Sequence, residues 1–110
     1  MTSSPLARKT CVPCKGGVAP LKAAEIAEYL RTLPGWKAVN DHHLVKEFRF
    51  PDFAQALAAT NRIGKIAEEQ SHHPDLQLGW GRVQVEIWTH KIDGLTESDF
   101  ILAAKIDEIV

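Results

Sequence analysis

The sequence is poor in the features that would by themselves indicate a special environment or partner. It has 2 cysteines and a formal net charge of -1, and no stretch approaches the roughly 20 apolar residues of a membrane-spanning helix. So few cysteines argue against a disulfide-rich secreted scaffold, and the near-neutral charge gives no general attraction to nucleic acid or to an anionic membrane. The first residues also lack the apolar segment of a secretory signal peptide. We therefore expect a cytoplasmic protein with no nucleic acid or membrane partner.

What remains is an ordinary globular composition. The 110 residues are 45% hydrophobic and 25% charged, values typical of a folded domain and not of a disordered or repetitive chain. A chain of this length buries enough surface to fold as one domain without disulfide bonds. Residues 1–20 are rich in Ser, Pro, Gly and Lys and are predicted to form a partly extended arm outside the core. Residues 21–110 are predicted to form the single domain.

The arm contains a CxxC motif made by Cys11 and Cys14. A structural zinc site usually needs four ligands, and the chain has no second cysteine pair. A redox-active pair normally opens a helix after a strand, whereas this pair lies among prolines and glycines. We interpret the motif as structural or incidental, with a metal shared between chains and a redox pair as alternatives, and we expect reduced thiols.

The hydrophobic periodicity of residues 21–110 switches between helical and extended patterns. Helical spacing marks three segments, and alternation with a period of two marks four short segments that pair as two hairpins. This order predicts an α+β fold, a four-stranded antiparallel sheet with three helices packed on one face. The predicted helices are residues 21–33, residues 52–69 and a last helix capped by Thr96, and the predicted strands are residues 36–39, 44–50, 76–80 and 83–89.

The second helix runs into the stretch EEQSHHPD, residues 68–75. A residue before proline is pushed out of helical geometry, so the helix should break near His72 and leave His73 extended. The following hairpin returns its second strand to the same end and so brings His90 near both. Because histidine can give and accept a proton near neutral pH, three histidines at one junction indicate acid-base chemistry.

Two carboxylates are candidates for orienting these rings. Glu68 lies four residues before His72, so in a continuous helix its side chain faces that histidine. Asp99 falls at the third position of the last helix. Local sequence does not place its side chain, but the short loop after His90 limits its distance from the junction. We expect Asp99 to orient one of the histidines.

Simpler interpretations also fit the local pattern. The HHP stretch is compatible with a solvated turn, and the pair His42 and His43 is predicted to be structural, in a hairpin turn beside Asn40 and Asp41. A zinc site formed by three histidines is disfavoured, because adjacent ligands on an extended backbone point apart.

The combined spacing of Glu68, His72-His73-Pro74, Trp80, His90 and Asp99 resembles the signature of the pterin-4a-carbinolamine dehydratases. The resemblance covers nearly the whole chain, and even the arm TCVPCKGG looks like that of bacterial members. It implies a four-stranded antiparallel sheet with three helices on one face, in agreement with the pattern above. The segments that carry it are LPGW (33–36), FRFPDFAQAL (48–57), NRIGKIAEEQ (61–70) and THKIDGLTESDFILAAKID (89–107).

The resemblance implies dehydration of 4a-hydroxytetrahydrobiopterin to the quinonoid dihydropterin, which recycles the tetrahydropterin used by aromatic amino-acid hydroxylases. No metal or cofactor is implied. Carried over by motif, His72 and His90 are acids and His73 is the base and binds the ring. Glu68 and Asp99 support them. The implied substrate contacts are His73, Pro74, Trp80 and Thr89.

The sequence departs from the family pattern at two positions near the site. Leu76 stands where animal members tend to carry a tryptophan, so one aromatic wall of the pocket is expected to be missing or supplied differently. Ser71 replaces the polar residue usual before the histidine pair. Neither change removes an acid or a base.

Assembly and an alternative function also follow from the resemblance. It implies a homodimer or homotetramer, and the second predicted helix has apolar or small residues on more than one face, which supports contact with another subunit. Animal members also act as dimerisation cofactors for a homeodomain transcription factor. A pterin-binding or coactivator-like protein without catalysis is therefore the alternative to an enzyme.

Overall fold

The computed structural model describes residues 5–11 and 19–110. The elements follow the order predicted from the sequence, and the α+β class is confirmed. They are α1 (Ala23–Leu30), β1 (Lys37–Val39), β2 (His43–Arg49), α2 (Phe53–Gln70), β3 (Asp75–Gly79), β4 (Arg82–Ile87), a short 3-10 helix (His90–Ile92) and α3 (Glu97–Ile109).

The four strands form one antiparallel sheet in the order β1-β2-β4-β3. Alternate residues of the central strands are fully buried: Leu44 on β2, and Val83, Val85 and Ile87 on β4. The residues between them on β4 are polar, as expected for a sheet that is covered on one face only. Helices α2 and α3 supply the other half of this core through Ile63, Phe100, Leu102 and Ile106.

Helix α2 has defined signals at both ends. Its N-cap is Asp52, whose carboxylate accepts a hydrogen bond from the Gln55 amide at 2.8 Å. Its C-cap is Ser71, which adopts a left-handed backbone with φ of 53°. This turn redirects the chain, so that His72 and His73 leave the helix axis. The predicted helix break near His72 is therefore confirmed.

Helix α3 is buried around most of its circumference, because the arm covers its outer side. Leu6, Ala7 and Cys11 belong to the hydrophobic core, and the Lys105 ammonium donates to the Ala7 carbonyl at 2.8 Å. The expectation that the arm lies outside the core is therefore wrong for Leu6, Ala7 and Cys11, whereas residues 5 and 8–10 are exposed. The physical reason is that α3 carries apolar or small side chains on every side. The face that does not pack on the rest of the core must therefore be buried by another segment, and the arm does this.

Some boundaries differ from the prediction. Helix α1 ends at Leu30, three residues early, in a turn that leads to Gly35. The tight turn of the second hairpin lies at Trp80 and Gly81 instead of one residue later, and β4 ends at Ile87. None of the described helices has both the length and the apolar character needed to cross a membrane.

Candidate active site

A surface pocket of about 320 Å³ lies between the end of α2 and the chain that follows β4. It brings together His72, His73 and His90, as the predicted hairpin geometry requires. Antiparallel pairing of β3 with β4 places the start of one strand beside the end of the other. The residues that line the pocket are Ser71, His72, His73, Trp88, Thr89, His90 and Lys91.

Asp99 is the carboxylate that holds His72. Its side chain is fully buried, and its Oδ1 atom lies 2.6 Å from the His72 Nε2 atom. Its Oδ2 atom accepts from the Thr89 hydroxyl and the Thr96 amide, both at 2.8 Å. These bonds compensate for the burial of a charged group. With Nε2–H directed at Asp99, the Nδ1 atom of His72 remains for proton exchange with a bound molecule.

Glu68 pairs with His73 instead of His72, which corrects the prediction. The Glu68 carboxylate hydrogen-bonds the His73 Nε2 atom. The i,i+4 argument assumed a continuous helix, but the left-handed Ser71 turns His72 away toward Asp99. The His73–Glu68 pair is largely exposed, with side-chain accessibilities of 61% and 77%, whereas those of His72 and Asp99 are 13% and 0%. Each of the two histidines therefore has a carboxylate partner, but the His72 pair is buried and the His73 pair is exposed to solvent.

Trp88 is a pocket residue that the sequence analysis did not identify. Its indole stacks on the His90 ring, with centroids 4.3 Å apart and an interplanar angle of 24°. Trp88 supplies an aromatic wall of the pocket. Leu76, where animal members tend to carry a tryptophan, is packed against the core instead. The signal available in the sequence was an aromatic residue two positions before a candidate acid, at the end of a strand.

Thr89 and Pro74, both predicted to contact substrate, lie in different positions relative to the pocket. Thr89 lines the pocket, but it is only 3% exposed and its hydroxyl donates to Asp99. Its hydroxyl is thus part of the support for His72. Pro74 follows His73 directly and leads into β3.

Trp80 is not brought to the pocket, contrary to the prediction. It lies in the turn at the far end of the β3–β4 hairpin and is 70% exposed. The five residues of β3, Asp75–Gly79, correspond to about 17 Å at the usual rise per residue. Trp80 therefore cannot contact a molecule in this pocket of its own chain.

The pair His42 and His43 is also placed differently from the prediction. His43 is the first residue of β2 and pairs with Val39, so only His42 belongs to the turn. Both rings lie beside Trp88, with centroid distances of 5.6 and 5.9 Å. The pair therefore adjoins the pocket wall.

A larger surface cavity, of about 480 Å³, lies elsewhere, at the end of α3. Two of its charged groups pair with each other, because the Lys46 ammonium lies 2.8 Å from Asp107, and the Trp36 indole N–H donates to the same carboxylate. A third charged group, Arg49, pairs with Glu47. It has no histidine among its lining residues. The pocket at the histidine junction is therefore the better candidate for acid-base chemistry, despite its smaller volume.

Metal ligation and thiol chemistry have little support in the described residues. No group of three or more His, Cys, Asp or Glu within 5–11 and 19–110 has the arrangement of a metal site. Burial raises the pKa of the Cys11 thiol to about 11, so the group is neutral at pH 7. It packs in the core with its Sγ atom 3.5 Å from the Ser98 carbonyl. Cys14 lies outside the described residues.

Comparison with known proteins gives a consistent result. The family model for pterin 4 alpha carbinolamine dehydratase matches residues 19–109. A protein of Rubrobacter xylanophilus is 58% identical over 96% of this chain and 99% of its own length, and one of Alkaliphilus metalliredigens is 53% identical over 94% of each. Both carry the provisional name pterin-4-alpha-carbinolamine dehydratase.

A solved structure agrees with these matches. The crystal structure of a protein from Brucella melitensis, titled transcriptional coactivator/pterin dehydratase, superposes with a TM-score of 0.77 at 34% identity, over 82% of this chain and 97% of that one. The family match, the similar sequences and the shared fold thus coincide over the region that carries the histidine pocket. This chain belongs to the pterin-4a-carbinolamine dehydratase family.

Proposed function

We propose that this protein dehydrates 4a-hydroxytetrahydrobiopterin to quinonoid dihydropterin and water. The observation that carries the proposal is the convergence of His72, His73 and His90 on one pocket. Family membership supplies the substrate class. The pocket volume of about 320 Å³ is at the lower end of the range for small-molecule sites.

The reaction needs one acid and one base and no change of oxidation state. The acid protonates the hydroxyl on C4a, and the C4a–O bond breaks to release water. The base removes the proton from N5, and the electron pair of that N–H bond forms the C4a=N5 double bond. Imidazole is suited to both tasks near neutral pH.

His72 is the best supported acid. Its Nε2–H donates to the buried Asp99 carboxylate at 2.6 Å, which fixes the orientation of the ring. The Nδ1 atom is then the one that delivers a proton to the leaving hydroxyl. Because Asp99 also accepts from Thr89 and Thr96, its position does not depend on His72.

His73 is proposed as the base and as a contact for the pterin ring, with its Nε2 atom bonded to Glu68. That bond leaves Nδ1 to accept the N5 proton. His90, on the other strand of the hairpin, is proposed as a second acid that serves the opposite face of the pterin. In this scheme the three rings contact a flat substrate from two sides.

Because the product is recycled to a tetrahydropterin, the reaction should be coupled to an enzyme that uses that cofactor. A functional link to an aromatic amino-acid hydroxylase, which would supply the carbinolamine, is part of the proposal. Because the reaction is a loss of water, neither an electron carrier nor a metal is required by its chemistry. Activity is therefore expected to survive treatment with a chelator.

The test is direct measurement of dehydration. Purified protein is mixed with freshly generated 4a-hydroxytetrahydrobiopterin, and the appearance of quinonoid dihydropterin is followed by ultraviolet absorption. We expect acceleration over the uncatalysed reaction, with losses of about 10² or more in the single variants His72→Ala, His73→Ala and His90→Ala. A parent protein that binds a stable pterin analogue but does not accelerate the reaction would replace this proposal with the binding-protein alternative.

A further inference from the structure

His90 is held differently from the other two histidines of the pocket. His72 and His73 each bond a carboxylate through Nε2. Within residues 5–11 and 19–110, no such hydrogen bond to the His90 ring is found, and its described contact is the stacking on Trp88. His90 also begins a 3-10 helix of only three residues, which by itself fixes a side chain poorly. Something else must therefore set the orientation of this ring.

One route to His90 passes through the aromatic rings. Trp88 lies between His90, at 4.3 Å, and the pair His42 and His43, whose centroids are 5.6 and 5.9 Å from the indole. His42 and His43 are half-buried, so these contacts are partly shielded from water. The Trp88 indole thus contacts the rings of His42 and His43 as well as that of His90.

A second route passes through the loop that follows His90. The His42 Nε2 atom lies 2.6 Å from the Asp93 Oδ1 atom. The Asp93 amide donates to the His90 carbonyl at 3.2 Å, and Thr89 pairs with Gly94 across the same loop. Asp93 has a left-handed backbone with φ of 51°, which closes the turn. His42 therefore anchors the far end of the segment that starts at His90.

His43 sets the orientation of His42. The two Nδ1 atoms are 3.1 Å apart, a distance at which one ring donates and the other accepts a single proton. With Nδ1 engaged by His43, the Nε2 atom of His42 is directed at Asp93. The contacts form a closed ring from His90 through Trp88, His42 and Asp93 back to His90.

We propose that His42 is a positioning residue for His90, acting through Trp88 and through Asp93. Asp99 and Glu68 hydrogen-bond their histidines directly, whereas His42 acts on His90 only through Trp88 and Asp93. This inference rests on the proposed function and deepens it, because it names a fourth histidine on which proton delivery depends. It also replaces the expectation from the sequence that the pair His42 and His43 is structural only.

The first measurement is kinetic. We expect His42→Ala to lower kcat by about tenfold with a smaller change in KM, because a misaligned acid slows the chemical step more than it weakens binding. Asp93→Asn should lower kcat in the same way but by less, because the Asp93 side chain is 88% exposed. His42→Gln, which keeps a side-chain donor, should recover part of the loss. Asp41→Asn is the matched control, since it removes an exposed carboxylate from the same turn and should leave kcat unchanged.

A double-mutant cycle separates positioning from a general structural effect. If His42 acts through His90, His42→Ala should cause no further loss in a His90→Ala background. Fully additive losses would overturn the proposal.

The second measurement does not use activity. Stacking on Trp88 imposes a ring-current shift on the His90 ring protons, which NMR of the parent protein detects. We expect this shift to shrink in His42→Ala and Asp93→Asn and to persist in Asp41→Asn. Unchanged His90 signals would refute the positioning role even if the parent is an active dehydratase. A parent without dehydratase activity would refute the proposed function, while the NMR result would still decide the structural claim.

Discussion

The His72 Nε2 atom lies 2.6 Å from Oδ1 of the fully buried Asp99, and this pair joins the end of α2 to the first turn of α3. Asp99 is also bonded to the backbone of Thr96 and to the hydroxyl of Thr89. The same carboxylate therefore caps a helix and orients a candidate acid. Its fixed position explains how a residue 27 positions away in sequence can control His72.

We expect Asp99→Asn to lower turnover by about 10². The amide keeps the shape of the side chain but replaces the charge-assisted hydrogen bond that orients the His72 ring with a weaker one. Dehydration kinetics of the purified variant check this. Asp107→Asn is the control, because it neutralises a partly buried carboxylate on the same helix that pairs with Lys46. Equal losses in both variants would mean that the effect is on folding.

Glu68→Gln should cost much less, less than about tenfold, because the His73–Glu68 pair is largely exposed and is screened by solvent and salt. The difference between parent and variant should shrink when activity is measured at high ionic strength. Glu69→Gln, which alters the adjacent exposed residue, is the matched control. A loss as large as that of Asp99→Asn would contradict the expectation that the buried carboxylate matters more for turnover than the exposed one.

Stability should fall at alkaline pH because of Cys11. Its pKa is raised by burial from 9.0 to about 11, so between these values the unfolded chain loses a proton that the folded chain keeps. The free energy of unfolding then decreases as pH rises from 9 to 11, by at most about 3 kcal/mol. Tyr29, whose pKa is raised to about 12 mainly by burial, adds a decline above pH 10.

Denaturant unfolding under reducing conditions at pH 8 and pH 10.5 tests this. Cys11→Ser should flatten the decline, and Cys14→Ser serves as the paired control for loss of a thiol. Parallel pH profiles for parent and Cys11→Ser would show that the buried thiol does not titrate as described.

Residues 5–11 of the arm should stabilise the end of α2, which carries the pocket residues Ser71 and His72. The Cys11 amide donates to the Gln70 side chain at 2.9 Å, at the residue just before Ser71. Gln70→Ala leaves that amide without its partner and is expected to lower the free energy of unfolding by about 1 kcal/mol. Thermal unfolding measures the change, with Gln77→Ala on the exposed side of β3 as the control. Equal stability of the two variants would argue against a fixed arm.

The outer face of α2 is expected to contact another subunit. Phe53 and Leu57, one helical turn apart, are 44% and 41% exposed, and Ala58 beside them is also exposed. Ala58→Glu should therefore shift the assembly to a smaller species, measured by light scattering. Ala27→Glu on α1 is the control. Ala59, which the sequence pattern also suggested, is fully buried within the chain, so its replacement would disturb folding and is not informative.

The sequence was sufficient for the class and order of elements, because periodicity, caps and turn residues are local properties. Asp52 and Thr96 mark helix starts, and Pro74 and the turn near Gly81 delimit the strand that follows the histidines. The convergence of His72, His73 and His90 was also predictable, since antiparallel pairing alone brings the two ends of a hairpin together.

Only the tertiary structure decided which carboxylate serves which histidine. One left-handed residue, Ser71, turns His72 from Glu68 toward Asp99, and side-chain direction depends on that single backbone angle. The same applies to His42 and Trp88, which lie 46 positions apart and meet because β2 pairs with β4. Local sequence determines where elements begin and end, whereas contacts between side chains on different elements depend on packing, which no short stretch of sequence encodes.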